Sequence, residues 1–219
     1  MLSSLIPGTL LLCWIPLCFP AILSLQAPKY PEAFGVIVLT ALAVFVGQLI
    51  QALASLIEPL LQWTWGGCAS EKALTTGLPT RYLPQDSAAR IRQKLESAVG
   101  EGTSAQSLFH YAIQLSDAAG IGRAPRFNSL YAYHRGLFTL MLIVLLTFLA
   151  STGWGMARNW PLGSTIPVIV GMLLILWLVW HRTKQRDCYY VREVLFTAER
   201  VLDEKLITAK PADSAAEGG

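Results

Sequence analysis

The stretch "FGVIVLTALAVFVGQLIQALASLI" (residues 34–57) carries no charged side chain, and Glu32 and Glu58 bound it on either side. A helix needs about 20 apolar residues to cross a hydrocarbon layer of about 30 Å, so this stretch is long enough to span a bilayer. Two glutamines and a serine nevertheless lie in the half that is nearer to Glu58. The stretch therefore predicts a helical membrane protein in which one crossing carries polar groups.

Three more uncharged stretches indicate further crossings. The chain of 219 residues is 53% hydrophobic and 14% charged, whereas ordinary globular domains have about 25% charged residues. A cleaved signal peptide is the alternative for the first stretch, but a basic n-region and a small-x-small cleavage site are missing. We therefore predict an all-α fold, a bundle of four transmembrane helices with a cytosolic helical layer, with crossings at residues 5–25, 34–57, 137–154 and 166–180.

The distribution of basic residues predicts the orientation of the bundle. Of seventeen lysines and arginines, eight lie in the long segment 58–136 and seven follow residue 180, whereas each short connection holds one. Basic residues are retained on the cytoplasmic side of a membrane. Trp63 and Trp177 mark the inner ends and Trp154 an outer end, as in an aromatic belt. We predict that both termini and the long segment are cytoplasmic.

The pattern of apolar and polar residues divides the chain into five segments. Residues 1–62 hold transmembrane helices 1 and 2, residues 63–128 form a cytosolic helical insertion, residues 129–180 hold transmembrane helices 3 and 4, residues 181–210 form a cytosolic amphipathic helix, and residues 211–219 form a disordered tail. In the insertion, hydrophobic spacing predicts one helix capped by Asp86 or Ser87 and another that Ser104 caps and Gly120 ends. A third helix is predicted to begin at Asn128 and to continue into the third crossing.

Five polar side chains of the second crossing and its inner end fall on one face of the helix. At 100° per residue they occupy an arc of about 80°. A buried amide without a hydrogen-bond partner costs roughly 2–7 kcal/mol, so we expect this face to be shielded from lipid. This polar row consists of Gln48, Gln51, Ser55, Glu58 and Gln62.

Two interpretations of the polar row remain open. In the first, its side chains hydrogen-bond to a neighbouring transmembrane helix. In the second, the face lines a wet cavity or the axis of an oligomer, where Glu58 forms a negative ring at the cytosolic mouth. Ala43 and Gly47, four residues apart on the same helix, form a small-xxx-small pair that predicts close helix packing.

An aromatic and basic run precedes the third crossing. Arginine forks hold phosphate and aromatic rings stack on bases, so one interpretation is a pocket for an anionic head group or a nucleotide-like ligand. Ordinary anchoring at the membrane interface is the alternative. The candidate residues are Arg123, Arg126, Tyr131, His134 and Arg135.

The C-terminal segment carries an apolar stripe whose members recur at steps of four, three, four and four residues. Such a stripe predicts packing against a partner helix. This partner stripe consists of Val191, Leu195, Ala198, Leu202 and Leu206.

The sequence contains no catalytic motif that we recognise. No metal-ligand set, catalytic triad or phosphate loop is present, and His110 and Asp117 lack an accompanying nucleophile. We therefore expect no enzyme activity, no cofactor and no metal. The formal net charge of +3 is too small to indicate nucleic-acid binding. The expected partners are the lipid bilayer, other copies of the chain and a soluble cytosolic protein.

Three short motifs carry a resemblance to known sequences. The runs "LIPGTLLL" (5–12), "WTWGG" (63–67) and "FNSLYAYHRGL" (127–137) resemble uncharacterised bacterial multi-pass inner-membrane proteins over about residues 5–140. In architecture the chain is similar to membrane components of bacterial anti-phage defence systems, in which a cytosolic helical part is joined to a small oligomerising bundle. The resemblance implies a location in the bacterial inner membrane and self-association, and it implies no catalytic residue.

Two functional hypotheses follow from these features. In the first, a self-associating membrane protein receives a partner or a signal through its cytosolic helices and alters its bundle, as a pore-forming or membrane-perturbing effector. In the alternative, a non-conducting anchor or assembly subunit tethers a soluble partner through the partner stripe. A transporter is disfavoured because four helices without an inverted repeat offer little binding surface at the midplane.

Overall fold

A computed structural model describes residues 2–18, 32–120, 122–153 and 162–214. Within these ranges the chain forms seven α-helices and no strand, so the prediction of an all-α protein is confirmed. The helices are α1 (Leu2–Cys18), α2 (Glu32–Thr64), α3 (Ala69–Leu74), α4 (Gln85–Val99), α5 (Ala105–Ala119), α6 (Ala124–Gly153) and α7 (Leu162–Ser214).

Three of the described helices are long and apolar enough to cross a membrane. The qualifying segments are Phe34–Thr64, Ala124–Thr152 and Thr165–Glu204, which include the second, third and fourth predicted crossings except for the outer end of the third at residues 153–154. The apolar part of α1, Leu5–Pro16, is shorter, and residues 19–25 of the predicted first crossing lie outside the described residues. The chain thus has the composition of a membrane protein, and the first of the four predicted crossings, at residues 5–25, stays a prediction.

The chain divides into two compact units. Unit 1 comprises Met1–Leu61 and Ser129–Lys184, and unit 2 comprises Gln62–Asn128 and Gln185–Gly219. The chain therefore passes from one unit to the other three times, once within each of the helices α2, α6 and α7.

Unit 1 is built by close packing of α1, α2 and α6. Gly8 of α1 lies so near α2 that a Cβ atom would overlap the backbone carbonyl of Ala43, which only glycine avoids. Trp14 Nε1 donates a hydrogen bond to Thr147 Oγ1 at 3.0 Å and thereby joins α1 to α6. Ile50 and Leu140 are fully buried between α2 and α6.

The outward surface of unit 1 is apolar. Ile37 and Leu56 of α2 are 66% and 77% exposed, and Ile166 and Leu174 of α7 are also exposed. So much exposed apolar surface is unusual on a water-soluble protein, whereas acyl chains solvate it without cost. The exposed apolar surface of unit 1 is therefore consistent with the membrane-spanning length and hydropathy of its helices.

Unit 2 has a core of its own, made of the apolar faces of α4, α5 and the C-terminal part of α7. Ile91 and Leu95 of α4, Leu108 of α5, and Leu195 of α7 are fully buried in one cluster. Each of these helices is amphipathic, so none buries its apolar face without the others. Unit 2 is a folded helical body rather than a linker between crossings.

Some predicted helix ends in unit 2 are confirmed by the structure, and two are wrong. Ser104 Oγ accepts a hydrogen bond from the backbone N–H of Ser107, and Gly120 adopts a left-handed conformation with φ of 61°, so both predicted ends of α5 are confirmed. The predicted cap of α4 was wrong, because Pro84 occupies the cap position and Asp86 lies in the first turn. The predicted start of α6 at Asn128 was also wrong, because the helix begins at Ala124.

Two further differences concern a short helix and the tail. The six-residue α3 was not predicted, because fewer than two turns carry no readable periodicity. The C-terminal segment continues the last crossing as one helix, as predicted, and α7 is described as far as Ser214. Residues 215–219 of the predicted disordered tail lie outside the described residues.

Candidate functional site

A charged and polar cluster joins α2 to α6 within unit 1. The guanidinium of Arg135 donates through Nη1 to the Glu58 carboxylate and through Nη2 to Ser55 Oγ, the latter at 3.1 Å. The hydroxyl of Tyr131 donates to the other carboxylate oxygen of Glu58 at 2.8 Å. Ser55, Glu58, Tyr131 and Arg135 together form what we call the α2–α6 cluster.

The charged pair of the cluster is largely shielded from solvent, whereas Ser55 is exposed. The side chains of Arg135 and Glu58 are 14% and 27% exposed. The Arg135 guanidinium also lies over the ring of Tyr131, with 5.5 Å between its Cζ atom and the ring centroid, which adds a cation–π attraction. The Nε–H of Arg135 is buried and makes no hydrogen bond within the described part of the chain. Breaking such a shielded pair by removing one partner leaves an uncompensated charge.

Gln51 lies next to the cluster and packs against Gly136 of α6. A Cβ atom on Gly136 of α6 would overlap the Nε2 atom of Gln51. Ser55 Oγ donates to the backbone carbonyl of Gln51 at 3.1 Å, which links the amide region of α2 to the α2–α6 cluster. Glycine at position 136 therefore makes room for the Gln51 amide.

The two remaining members of the polar row have different surroundings. Gln48 is exposed on the surface of unit 1, whereas Gln62 belongs to unit 2 and accepts a hydrogen bond from Cys68 Sγ at 2.9 Å. Gln48 and Glu58 lie about 80° apart around the helix axis, at opposite edges of the predicted arc. The structure therefore brings three of the five side chains to α6 and leaves Gln48 outside that contact.

The small-residue pair of α2 lies at the contact with α1. Ala43 and Gly47 are buried. A Cβ atom on Gly8 of α1 would overlap the Ala43 carbonyl oxygen and would approach the Gly47 nitrogen to 2.8 Å. Ala43 and Gly47 therefore face α1, whereas Gln51, Ser55 and Glu58 further along α2 face α6.

The five residues of the candidate anion site are divided between the units. Tyr131, His134 and Arg135 belong to unit 1, and Arg123 and Arg126 belong to unit 2. His134 Nδ1 lies 2.7 Å from the carbonyl oxygen of Leu130, in its own helix. Arg135 Nη1 and Nη2 already donate to Glu58 and Ser55.

In unit 2, Arg123 and Arg126 lie at the start of α6. The backbone N–H of Arg123 donates to Glu193 Oε1 at 3.2 Å, and the side chain of Arg126 is exposed. The neighbouring Phe127 ring stacks on Tyr189 of α7, with 6.1 Å between centroids. These contacts dock the first turn of α6 on α7.

The partner stripe packs within the core of unit 2. Its first four members, at positions 191, 195, 198 and 202, are 1%, 0%, 0% and 8% exposed and belong to the cluster that contains Ile91 and Leu108. The side chain of Leu206 lies outside the described residues. The described part of the stripe is therefore buried within unit 2 of the same chain, in a cluster that includes residues of α3, α4 and α5.

An ion network between α4 and α7 was not identified from the sequence. Glu199 Oε1 accepts from Arg90 Nε at 2.7 Å and from Lys94 Nζ at 3.0 Å, and Lys94 also donates to Asp203 Oδ1 at 2.7 Å. The hydrogen bond to Asp203 raises the pKa of Lys94 above its ordinary value, with a further contribution from Glu199. The signal in the sequence is two bases and two acids, each pair four residues apart on a helix.

A cleft of about 350 Å³ lies in unit 2, between α3 and α4. Thr75, Gly77 and Gln85 line it together with Arg92. The Arg92 guanidinium donates to Glu96 at 2.8 Å and to the carbonyl of Leu74 at 2.9 Å, so its charge is already balanced. The cleft is therefore a weaker candidate than the α2–α6 cluster.

The described residues contain no group of three or more His, Cys, Asp or Glu side chains that is able to hold a metal ion. No protein family, curated protein or solved structure matches the chain. Within the described ranges, the chain is all-helical, with three helices of membrane-spanning length and a charged cluster between two of them.

Proposed function

We propose that the chain is a multi-pass protein of the bacterial inner membrane that crosses the bilayer four times, with both termini in the cytoplasm. It associates with other copies of itself. Its cytosolic unit 2 receives a partner or a signal and alters the membrane bundle of unit 1. The proposal includes no catalytic step and no cofactor.

The observation that carries this proposal is the position of the α2–α6 cluster along the chain. Glu58 lies three residues before the point where α2 passes from unit 1 to unit 2, and Tyr131 lies two residues after the point where α6 returns to unit 1. A displacement of unit 2 acts on both helices within one turn of the cluster. The pair of Glu58 and Arg135 is therefore well placed to respond to events in unit 2.

In this proposal the cluster has two states, a closed one and a separated one. In the closed state Arg135 neutralises Glu58, and the inner ends of α2 and α6 are held together. When α2 and α6 separate, Glu58, Arg135 and Gln51 require water, because unpaired charges and amides are costly in an apolar medium. The separated state therefore draws water toward the middle of the bilayer.

The outer half of α2 limits this path. Between Phe34 and Gly47 the only side chain with a hydrogen-bonding group is Thr40, and its hydroxyl donates to the carbonyl of Val36. A water path along Glu58 and Gln51 therefore ends at an apolar constriction. Such a constriction is similar to the hydrophobic gates of channels. We expect the resting protein to conduct little and the disrupted cluster to conduct more.

The experiment is ion flux through purified full-length protein in liposomes. The Glu58→Gln variant removes the charge that Arg135 neutralises, and Glu101→Gln is a matched control because this exposed glutamate lies outside the cluster. We expect at least tenfold faster potassium release for Glu58→Gln than for wild type, with the control at the wild-type rate. Equal and negligible release from all three proteins would exclude a conducting state.

The alternative function is a non-conducting anchor or assembly subunit. The separate core of unit 2 favours it, because a folded body in the cytosol offers a platform for a soluble protein. Truncation at residue 186 does not test this alternative, since it removes Val191, Leu195 and Ala198 from that core. A soluble protein that co-purifies with the full-length chain, together with the absence of ion flux, would support the anchor.

A further inference from the structure

Gln48 presents an amide to the surroundings of unit 1 at the middle of a spanning helix. The segment Phe34–Thr64 is 31 residues long, and Gln48 is its fifteenth residue. The side chain is exposed on the surface of unit 1, outside the α2–α6 cluster. At this depth the surroundings are acyl chains, which offer an amide neither a donor nor an acceptor.

Gln48 lies within an exposed stripe that repeats every 3.5 residues. The members recur at steps of four, three, four and three, and all fall within about 80° of the helix circumference. Two of its members, Ala41 and Ala52, are small, which permits close approach of a second helix. The stripe consists of Ala41, Phe45, Gln48, Ala52 and Ser55, all exposed.

We infer that this stripe is the surface through which two copies of the chain associate, with Gln48 of one copy bonded to Gln48 of the other. This inference rests on the self-association in the proposed function and names its surface. A carboxamide carries both a donor and an acceptor, so the same residue on a second copy satisfies it across a two-fold axis. A period of 3.5 residues is that of two helices crossing at about +20°, the commonest geometry in membrane bundles.

The stripe also places the interface next to the α2–α6 cluster. Ser55, its innermost member, accepts a hydrogen bond from Arg135 Nη2 at 3.1 Å. The opposite flank of α2 is already committed, because Ala43 and Gly47 face α1. Association of two copies on the Gln48 side therefore leaves the contacts inside each copy intact.

The test is energy transfer between donor-labelled and acceptor-labelled full-length copies in liposomes at a series of protein-to-lipid ratios. We expect Gln48→Leu to weaken association by roughly threefold to thirtyfold, the range found for polar hydrogen bonds between membrane helices. Gln48→Asn retains the amide and should keep association close to wild type. Thr40→Val is the matched control, because the Thr40 hydroxyl is satisfied by Val36 of its own helix.

Cysteine cross-linking maps the same surface independently in a protein whose native cysteines are replaced. Ala52→Cys should form a disulfide between two copies, and Leu53→Cys, which lies about 100° further round the helix, should not. Wild-type association that is unaffected by Gln48→Leu, or cross-linking through position 53 alone, would overturn the assigned surface but not the proposed function. A wild-type protein that stays monomeric at every ratio would overturn the surface and the self-association together.

Discussion

Arg135 of α6 bonds to Glu58 of α2 across 77 residues of sequence, and the carboxylate also accepts a hydrogen bond from Tyr131. The acid at the inner end of α2 is therefore neutralised by a neighbouring helix of the same chain. A negative ring of Glu58 carboxylates requires that this pair be broken. Glu58 and Ser55 thus follow the first interpretation of the polar row, hydrogen bonding to a neighbouring helix, and the wet cavity of the second stays a prediction.

The first prediction concerns the stability of unit 1. Arg135→Met leaves the Glu58 carboxylate without its cation, and we expect a loss of about 1–3 kcal/mol, below the 3–5 kcal/mol of fully buried pairs because Glu58 is 27% exposed. Adding Glu58→Gln to that variant should recover at least half of the loss. Reversible unfolding in mixed micelles measures both values. Additive losses in the double variant would show that the two charges do not interact.

The second prediction compares two glycines at helix contacts. Gly8→Ala sets a methyl group against the backbone carbonyl of Ala43, which has no room to move, so we expect a loss of about 1–3 kcal/mol. Gly136→Ala meets only the end of the flexible Gln51 side chain, and a loss below about 1 kcal/mol is expected. The same unfolding assay compares the two. A larger loss at position 136 would contradict the described packing of α1 on α2.

The third prediction concerns the ion network of unit 2. Lys94→Met removes the cation shared by Glu199 and Asp203, and we expect a loss of about 1 kcal/mol or less because such pairs are partly screened. The pKa of Lys94 is raised in the folded chain. The network therefore contributes fully below the ordinary lysine pKa, and its contribution is lost as the pH rises through the higher folded value.

The measurement that checks this dependence is the difference in unfolding free energy between wild type and Lys94→Met as a function of pH. The difference should be constant from pH 7 to about pH 9 and should fall toward zero above the ordinary lysine pKa of about 10.4. Subtraction of the variant removes contributions that both proteins share, such as that of Tyr82, whose pKa burial raises. A difference that grows with rising pH would have the wrong sign for a raised lysine pKa.

The fourth prediction concerns orientation in the membrane. Four crossings with both ends inside require that a reporter fused to either terminus be cytoplasmic, and that a reporter in the connection near residue 158 be outside. Fluorescent protein and alkaline phosphatase fusions report these two locations in bacterial cells. An external N-terminus together with a cytoplasmic C-terminus would indicate three crossings, made by α2, α6 and α7 alone.

Charge gaps and hydrophobic spacing predict much of the fold because both are local properties. The gap between Glu32 and Glu58 marks a spanning helix, and the caps at Ser104 and Gly120 mark α5. The amphipathic face at Val191 indicates that a partner helix exists. The face does not indicate that it packs in the cluster that includes α4 and α5, because every amphipathic helix of the chain presents a similar face.

Only part of the candidate site could be predicted from the sequence, because local properties do not show how helices pack against one another. Helix geometry places Gln48 and Glu58 at opposite edges of one arc on α2, but it does not give the rotation of α2 relative to α6. That rotation decides that Glu58 meets Arg135 while Gln48 stays on the surface. It depends on the packing of Gly136 against Gln51 and of Gly8 against Ala43, which are contacts between distant parts of the sequence.

The most direct test of the account is a charge swap in the α2–α6 cluster, read out as potassium efflux from liposomes. Each single reversal, Glu58→Arg or Arg135→Glu, places two like charges side by side and should raise efflux at least tenfold. The double reversal restores one acid opposite one base, and it is predicted to return efflux close to the wild-type rate. Efflux from the double reversal that equals that of the single reversals, or no efflux from any variant, would contradict a closed state held by these two residues.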